Sequence, residues 1–351
     1  MMADSWNRYG PTAARPQDRP GRKPRPSGPT IDMHAHLFVP EAAEFARPHL
    51  SIDPRAALYA EETRILTRKQ DEDRRVNLTD LGTRLADMDA MGVDRQIVSP
   101  APGQCYHGLA PDLAVKAARL VNDGMAEFVA RRPDRLTGLG TVPMQSGEAA
   151  VEELERCVRG LGFKGVEILT NIGGKELSDP AHEALWAKAA KLGTVVMIHP
   201  GGFTQPERLS RFYLNNVLGN PLETTIALHY LILDGVLERH PTLKLIAAHG
   251  GGFLPAYSGR IDHAWGARSD THGDLPHAPS RYLKKVYVDA LVFTEHQLAA
   301  LVALLGVGHV LMGTDYPYDM GEYDPLGHLV GLDDERRAAI AGGNARALFA
   351  L

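Results

Sequence analysis

Residues 31–36 read Ile31-Asp32-Met33-His34-Ala35-His36, an apolar, strand-like run that ends in two histidines one residue apart. Side chains at i and i+2 leave a β-strand on the same face, so His34 and His36 emerge together and can converge on one cation. Three later segments end in a comparable way. Thr194-Val-Val-Met-Ile-His199 is a β-branched run closed by a histidine, and Leu243-Lys-Leu-Ile-Ala-Ala-His249 is followed by Gly250, Gly251 and Gly252. Val310-Leu-Met-Gly-Thr-Asp315 closes on a carboxylate. Four buried strands that stop on a metal-competent or proton-transferring side chain point to one shared site at strand carboxyl ends.

The rest of the chain supplies the frame. Strand-like runs are expected at 30–36, 95–99, 136–142, 162–169, 194–199, 243–249, 286–291 and 310–315, and several are near-continuous Val, Ile, Leu or Ala, as in a parallel sheet covered on both faces. Apolar residues at helical spacing predict helices over 78–91, 111–131, 147–159, 179–192, 221–239, 253–265, 295–305 and 333–349. Eight strand and helix pairs predict an α/β fold of the (β/α)8 TIM-barrel type, with a long insertion (37–77) after the first strand. A doubly wound open sheet is the rival, but its usual glycine-rich turn after the first strand is replaced here by His-x-His.

Bulk properties exclude several classes. The chain has 351 residues, 44% hydrophobic and 23% charged, with a formal net charge of −5. Such usage is globular, and without a basic stripe it argues against nucleic acid as a partner. No run of ~18 apolar residues is present to span a membrane. The two cysteines, Cys105 and Cys157, form neither a Cys-x-x-Cys pair nor a disulfide framework, which suits a reducing cytoplasmic setting. Residues 1–28 stand apart, rich in Pro and Arg, with six basic residues (Arg8, Arg15, Arg19, Arg22, Lys23, Arg25) against Asp4 and Asp18. They read as a flexible N-terminal arm without the apolar core of a secretory signal, leaving 29–351 as a single barrel domain.

Taken in order, Asp32-Met-His34-Ala-His36, Met88-Asp-x-x-Gly-Val-Asp94, Ile198-His199-Pro200, His249-Gly-Gly-Gly252, Gly259-Arg260-Ile-Asp-x-Ala-Trp265 and Gly313-Thr-Asp315-Tyr-Pro317 resemble the aminocarboxymuconate-semialdehyde decarboxylase family of the amidohydrolase superfamily. The likeness runs from about residue 30 to the end. It implies the barrel and a metal-dependent, non-oxidative decarboxylase of aromatic or muconate-type acids. A metal-dependent hydrolase of an amide, ester or lactone is the alternative on the same ligand set. The resemblance further implies that His34, His36, His199 and Asp315 hold one divalent ion, zinc in the first place and manganese in some relatives, without an organic cofactor. Imidazoles with one hard carboxylate suit either cation. The fourth strand starts rather than ends on lysine (Lys164), which implies a mononuclear site.

His249, in this pattern, is an acid or base beside the site, and imidazole titrates near neutrality. Asp315 serves both as ligand and in proton handling. Arg260 and Arg268 match positions that grip substrate carboxylates, with Arg260 reaching into a neighbouring subunit's pocket, which implies a homodimer with a shared active-site arginine. A third arginine is expected from Arg74 or Arg75. After His199-Pro200 the chain reads Gly201-Gly202-Phe203, a departure from the semialdehyde decarboxylase itself, which has a bulky aromatic there. Arg208, Phe212, Tyr213 and Asn216 are expected to line the cavity instead, and an aromatic hydroxyacid fits as well as a muconate.

Overall fold

The computed structural model describes residues 25–50 and 59–351. Its strands are β1 (Ile31–Leu37), β2 (Arg95–Pro100), β3 (Leu136–Gly138), β4 (Gly165–Leu169), a two-stranded hairpin β5 (Asn171–Ile172) and β6 (Lys175–Glu176), β7 (Val195–His199), β8 (Lys244–Ala247), β9 (Tyr287–Asp289) and β10 (Val310–Leu311). Parallel pairing runs β1-β2-β3 and β10-β9-β8-β7-β4. Two junctions join these sheets into one closed barrel of eight. Gly140 pairs with Val166, with Gly140 N–H donating to Gly165 O at 2.9 Å, and Ala35 pairs with Tyr316, with His36 N–H donating to Tyr316 O at 2.8 Å. The (β/α)8 barrel expected from the sequence is the barrel observed.

Alternation along each strand divides the core. On β7, Val196 and Ile198 face the outer helices, whereas Val195 and Met197 join an inner cluster with Met33, Ile97, Leu139 and Ile246. His199, next on that inner parity, enters the site. The terminal helix Asn344–Phe349 adds Leu348 and Phe349 to the inner cluster and so covers the amino-terminal end of the strands. What remains open is the carboxyl end, where barrels of this kind do their chemistry.

β1 carries an irregularity that strict alternation does not predict. Asp32 pairs with Gln96 but Ala35 with Val98, so one extra residue lies between them. As a result Met33 packs inward with Met197, and His34, its sequence neighbour, also faces inward, 5.1 Å from the His199 ring. A bulge re-aims side chains in this way. Asp32 holds it, accepting from His34 N–H (3.0 Å), Gln96 Nε2 (2.9 Å), Thr314 N–H (3.0 Å) and Thr314 Oγ1 (2.6 Å).

Several element limits differ from expectation. The regular strands expected at 136–142 and 310–315 are shorter, Leu136–Gly138 and Val310–Leu311, and beyond them pairing continues only as the isolated bridges at Gly140 and Tyr316. The helix expected at 221–239 is two, Asn220–Leu233 and Val236–Arg239, separated by Gly235 at φ +75°. Between β1 and β2 lie helices Pro40–Ala46, Glu61–Asp73, Arg75–Thr79 and Leu81–Met91, and Ala60 N–H donates to Ser210 O at 2.9 Å, tying this segment to the loop after β7. Of the expected arm, residues 1–24 lie outside the described residues, and Arg25 forms an ion pair with Asp94. Among the described residues no helix is long and apolar enough to cross a membrane.

Gly165 shows how closely the strands approach. A Cβ there meets Val195 O at 2.0 Å, whereas one at Gly160 meets only Arg156 Cγ at 3.5 Å. Gly165→Ala is expected to cost about 1–3 kcal/mol and to lower the thermal midpoint, with Gly160→Ala near neutral. Equal midpoints for the two variants would mean that β4 and β7 are not packed this tightly.

Candidate metal centre

Five side chains meet at the carboxyl end of the barrel: His34 and His36 from β1, His199 from β7, His249 after β8 and Asp315 after β10. Ring centroids lie 5.0 Å apart for His34 and His36, 5.1 Å for His34 and His199, 5.0 Å for His36 and His199, and 4.9 Å for His199 and His249. All are largely buried. His249 and Asp315 both have positive φ, +56° and +55°. Two non-glycine residues in this sparsely populated region, both at the centre, are held there by their surroundings.

Hydrogen bonds on the outer side of each ring determine what faces inward. His36 Nδ1 donates to Pro100 O at 2.9 Å, His199 Nδ1 to Pro200 O at 2.8 Å, and His34 Nδ1 to Asp289 Oδ2 at 2.8 Å. With Nδ1 committed as donor, each neutral ring turns a bare Nε2 lone pair to the middle. His34 Nε2 and His36 Nε2 are 3.1 Å apart, and Asp315 Oδ1 lies 3.5 Å from the first and 3.1 Å from the second. His199 Nε2 is buried and, among the described residues, has no hydrogen-bond partner. Lone pairs and a carboxylate this close repel one another unless positive charge sits among them, so the donor set fits a divalent cation. One ligand atom from each of His34, His199, His249 and Asp315 falls within 4.8 Å of every other. That grouping takes in His249, whose Nε2 is 3.5 Å from Asp315 Oδ2, and His36 adjoins it through His34 and Asp315.

The electrostatics follow from burial and proximity. Burial, reinforced by the neighbouring imidazoles, pushes His199 well below its ordinary range. Burial alone acts to raise the Asp315 carboxyl, but the adjacent His249 and His36 rings outweigh it and hold Asp315 well below the usual carboxylate range. Burial pushes Glu167 up to about 7, against the attraction of His36. Its Oε2 lies 3.9 Å from His36 Nδ1.

Two positioning residues escaped the sequence reading. Asp289 accepts from His34 Nδ1, from the backbone N–H groups of His249 and Gly250 (2.8 Å each) and from Leu291 N–H (3.1 Å), so one carboxylate orients two of the five groups. It closes β9, and the run Val286-Tyr-Val-Asp289 carried the same strand-then-acid signal as Asp315. Arg84, fully buried, donates from Nη2 to His36 O at 2.5 Å and from Nη1 to Gln96 Oε1 at 2.9 Å, fixing the end of β1. Lys164, at the start of β4, turns to Ala350 O at 3.4 Å, away from the centre.

A cavity of about 1160 Å³ opens over the centre, reaching His199, His249 and Asp315 and lined also by Tyr106, Arg74, Tyr213, Asn216 and Tyr318. A smaller one of about 380 Å³ adjoins His249 and Asp315 through Leu291, Val292 and Phe293. Of the expected arginines, Arg74 is buried beneath the large cavity, its guanidinium 4.9 Å from the Tyr318 ring and 3.6 Å from Asp319, while Arg75 is exposed and lines neither cavity. Arg260 and Arg268 are exposed and line neither cavity of this chain, and Arg268 is engaged by Asp270 through Nε (2.8 Å) and Nη2 (2.5 Å). Tyr213 and Asn216 line the large cavity as expected; Arg208 and Phe212 do not.

The amidohydrolase profile matches residues 31–351. The chain belongs to the amidohydrolase family. Among curated relatives it is 37% identical over 274 residues, 77% of this chain and 76% of the other, to 2-amino-3-carboxymuconate-6-semialdehyde decarboxylase of Dictyostelium discoideum. It is 31% identical to gamma-resorcylate decarboxylase of Rhizobium radiobacter, over 77% of this chain and 86% of that one. Among solved structures, 5-carboxyvanillate decarboxylase from Sphingomonas paucimobilis superposes with a TM-score of 0.81 at 26% identity, over 92% of this chain and 99% of the other.

If Asp289 orients His34, Asp289→Asn weakens metal affinity ~10–100-fold, measured by competition with a chromogenic chelator. An unchanged affinity removes Asp289 from that role.

Proposed function

We propose that the protein is a metal-dependent, non-oxidative carboxy-lyase that acts on an aromatic or muconate-type carboxylic acid. The observation that carries this reading is the set of inward Nε2 lone pairs and one carboxylate at the floor of a cavity that also holds a buried arginine. His34, His36, His199 and Asp315 are assigned to one divalent ion, zinc first and manganese second, and His249 to proton transfer. Bound there, a divalent ion supplies Lewis-acid stabilisation of negative charge on substrate oxygens.

Arg74 supplies charge to orient a carboxylate, which a guanidinium grips bidentately. His249 delivers a proton to the carbon that bears the carboxylate, so a C–H bond forms. The C–C bond to the carboxylate then breaks, its electron pair returns to the ring or diene to restore conjugation, and carbon dioxide leaves. Asp315 Oδ2, 3.5 Å from His249 Nε2, stabilises the imidazolium beforehand. Hydrolysis of an amide, ester or lactone is the rival on the same groups, and the decarboxylases among the relatives favour the lyase.

A homodimer completes the site in this proposal. Arg260 lies on the helix Leu254–Ala267, whose Tyr257 is 71% exposed, and exposed Val217 and Phe253 both border the smaller cavity. An apolar rim of this kind suits burial against a second copy. Arg268 joins only by releasing Asp270. The two buried, free cysteines support a reducing, cytoplasmic setting.

His36→Ala is expected to lose both metal, by elemental analysis, and carbon dioxide release. His249→Ala is expected to keep its metal and lose about 10²–10⁴-fold in turnover. Loss of metal from the His249 variant would convert that residue from acid to ligand, and amide or lactone cleavage without carbon dioxide would establish the hydrolase instead. Mixing Arg260→Ala with His249→Ala chains should restore part of the activity. No recovery in fully exchanged mixtures would rule out a shared pocket.

A further inference from the structure

The cavity is larger than a one-ring acid requires. Sites for drug-sized ligands occupy ~300–1,000 Å³, and this one reaches about 1160 Å³. Its outer wall is the helix Glu61–Asp73, which turns Arg64, Arg68 and Asp71 toward the cavity and leads to Arg74 at its carboxyl end. Arg74 is compensated, accepted by Gln70 O at 2.9 Å and facing Asp319 and Asp71 at 3.6 and 3.9 Å. Arg64 and Arg68 differ from it. They are exposed, and among the described residues neither guanidinium has a hydrogen bond or a carboxylate within ion-pair distance. Two like charges one helical turn apart repel, at a cost of about 0.2–0.5 kcal/mol, and an anion between them would relieve this.

Position along the helix sets the span. Arg74 sits one aromatic ring from the metal centre, since Tyr318 contacts the His36 ring at 5.2 Å on one side and the Arg74 guanidinium on the other. At 1.5 Å of rise per residue, Arg68 and Arg64 lie on the order of 9 and 15 Å farther out along the helix axis. The cavity therefore carries cationic groups at two depths, one beside the centre and one toward its mouth.

We infer that Arg64 and Arg68 form a distal anion subsite, so that the substrate is an elongated acid with its reacting carboxylate at the metal centre and a second anionic group, carboxylate or phosphate, toward the mouth. The inference rests on the proposed acid-processing reading for its inner anchor. Guanidinium forks bind either anion bidentately.

The test uses the metal-loaded protein and binding rather than turnover. Calorimetric affinities are measured for 2-hydroxybenzoates bearing alkyl arms of increasing length that end in a carboxylate, a phosphate or a neutral amide. At the arm length that spans the two depths, the charged ends should bind at least tenfold tighter than the amide twin. R64Q/R68Q should reduce that ratio to about one and leave amide affinities unchanged, since glutamine preserves the helix. A wild-type protein that never distinguishes the twins overturns the subsite. So does a double variant that weakens charged and neutral ends alike, which marks general attraction of anions. Carbon dioxide is assayed separately on the same compounds: tight, arginine-dependent binding without its release removes the lyase reading and leaves the subsite standing.

Discussion

Three imidazoles with their outer nitrogens already committed form the constraint on which the site rests. Pro100 O and Pro200 O can only accept, so the rings of His36 and His199 must present Nδ1–H to them, and Asp289 imposes the same tautomer on His34. The inward lone pairs are thus fixed by atoms that never touch the centre. A buried cluster of acceptors beside Asp315 has no stable arrangement by itself, because burying polar atoms without partners costs free energy and crowding them costs more. The cation that resolves this is implied by the outer hydrogen bonds as much as by the ligands.

Barrel closure serves that constraint. The same Ala35 and Tyr316 junction that joins β1 to β10 brings Asp315 against the β1 histidines, with Asp315 N–H donating to His34 O at 2.7 Å. The bulge in β1 lets Met33 fill the inner core while His34 and His36 face the mouth. Without it, regular alternation would send one of those two sets outward. Asp32, wholly buried beneath the histidines and pushed up to about 6 by that burial, secures the bulge through four donors.

The fold was legible because eight buried parallel strands read as continuous apolar runs, and the centre because four of them stop on His or Asp. Spacing by two put His34 and His36 on one face correctly. It could not reveal the bulge, since a register slip depends on the partner strand and leaves no local signal. Asp289 carries a readable signal, a strand closed by an acid, whereas Arg84 does not, because a buried arginine bound to a carbonyl looks in sequence like any helical arginine. Choosing Arg74 over Arg75 needed the helix phase, and that becomes fixed only where Tyr318 meets it. Arg260 and Arg268 are both exposed and line neither of the two cavities at the centre, so the role expected of them rests on the resemblance alone.

The two glycines after His199-Pro200 help to widen the cavity. Gly201 and Gly202 form its wall without side chains, and Gly202 adopts φ +90°, which a side chain would strain. The loop is then drawn away from the centre by successive backbone donations, Gly202 N–H to Asn220 Oδ1 (3.0 Å), Phe203 N–H to Asn215 Oδ1 (3.1 Å) and Thr204 N–H to Glu223 Oε1 (2.6 Å). Phe203 consequently lines neither cavity. With no side chain at Gly201 and Gly202, the path from the centre to the helix Glu61–Asp73 stays open. The open glycine wall and Arg64 and Arg68, uncompensated among the described residues, therefore favour the same ligand shape, one long enough to use both ends of the space.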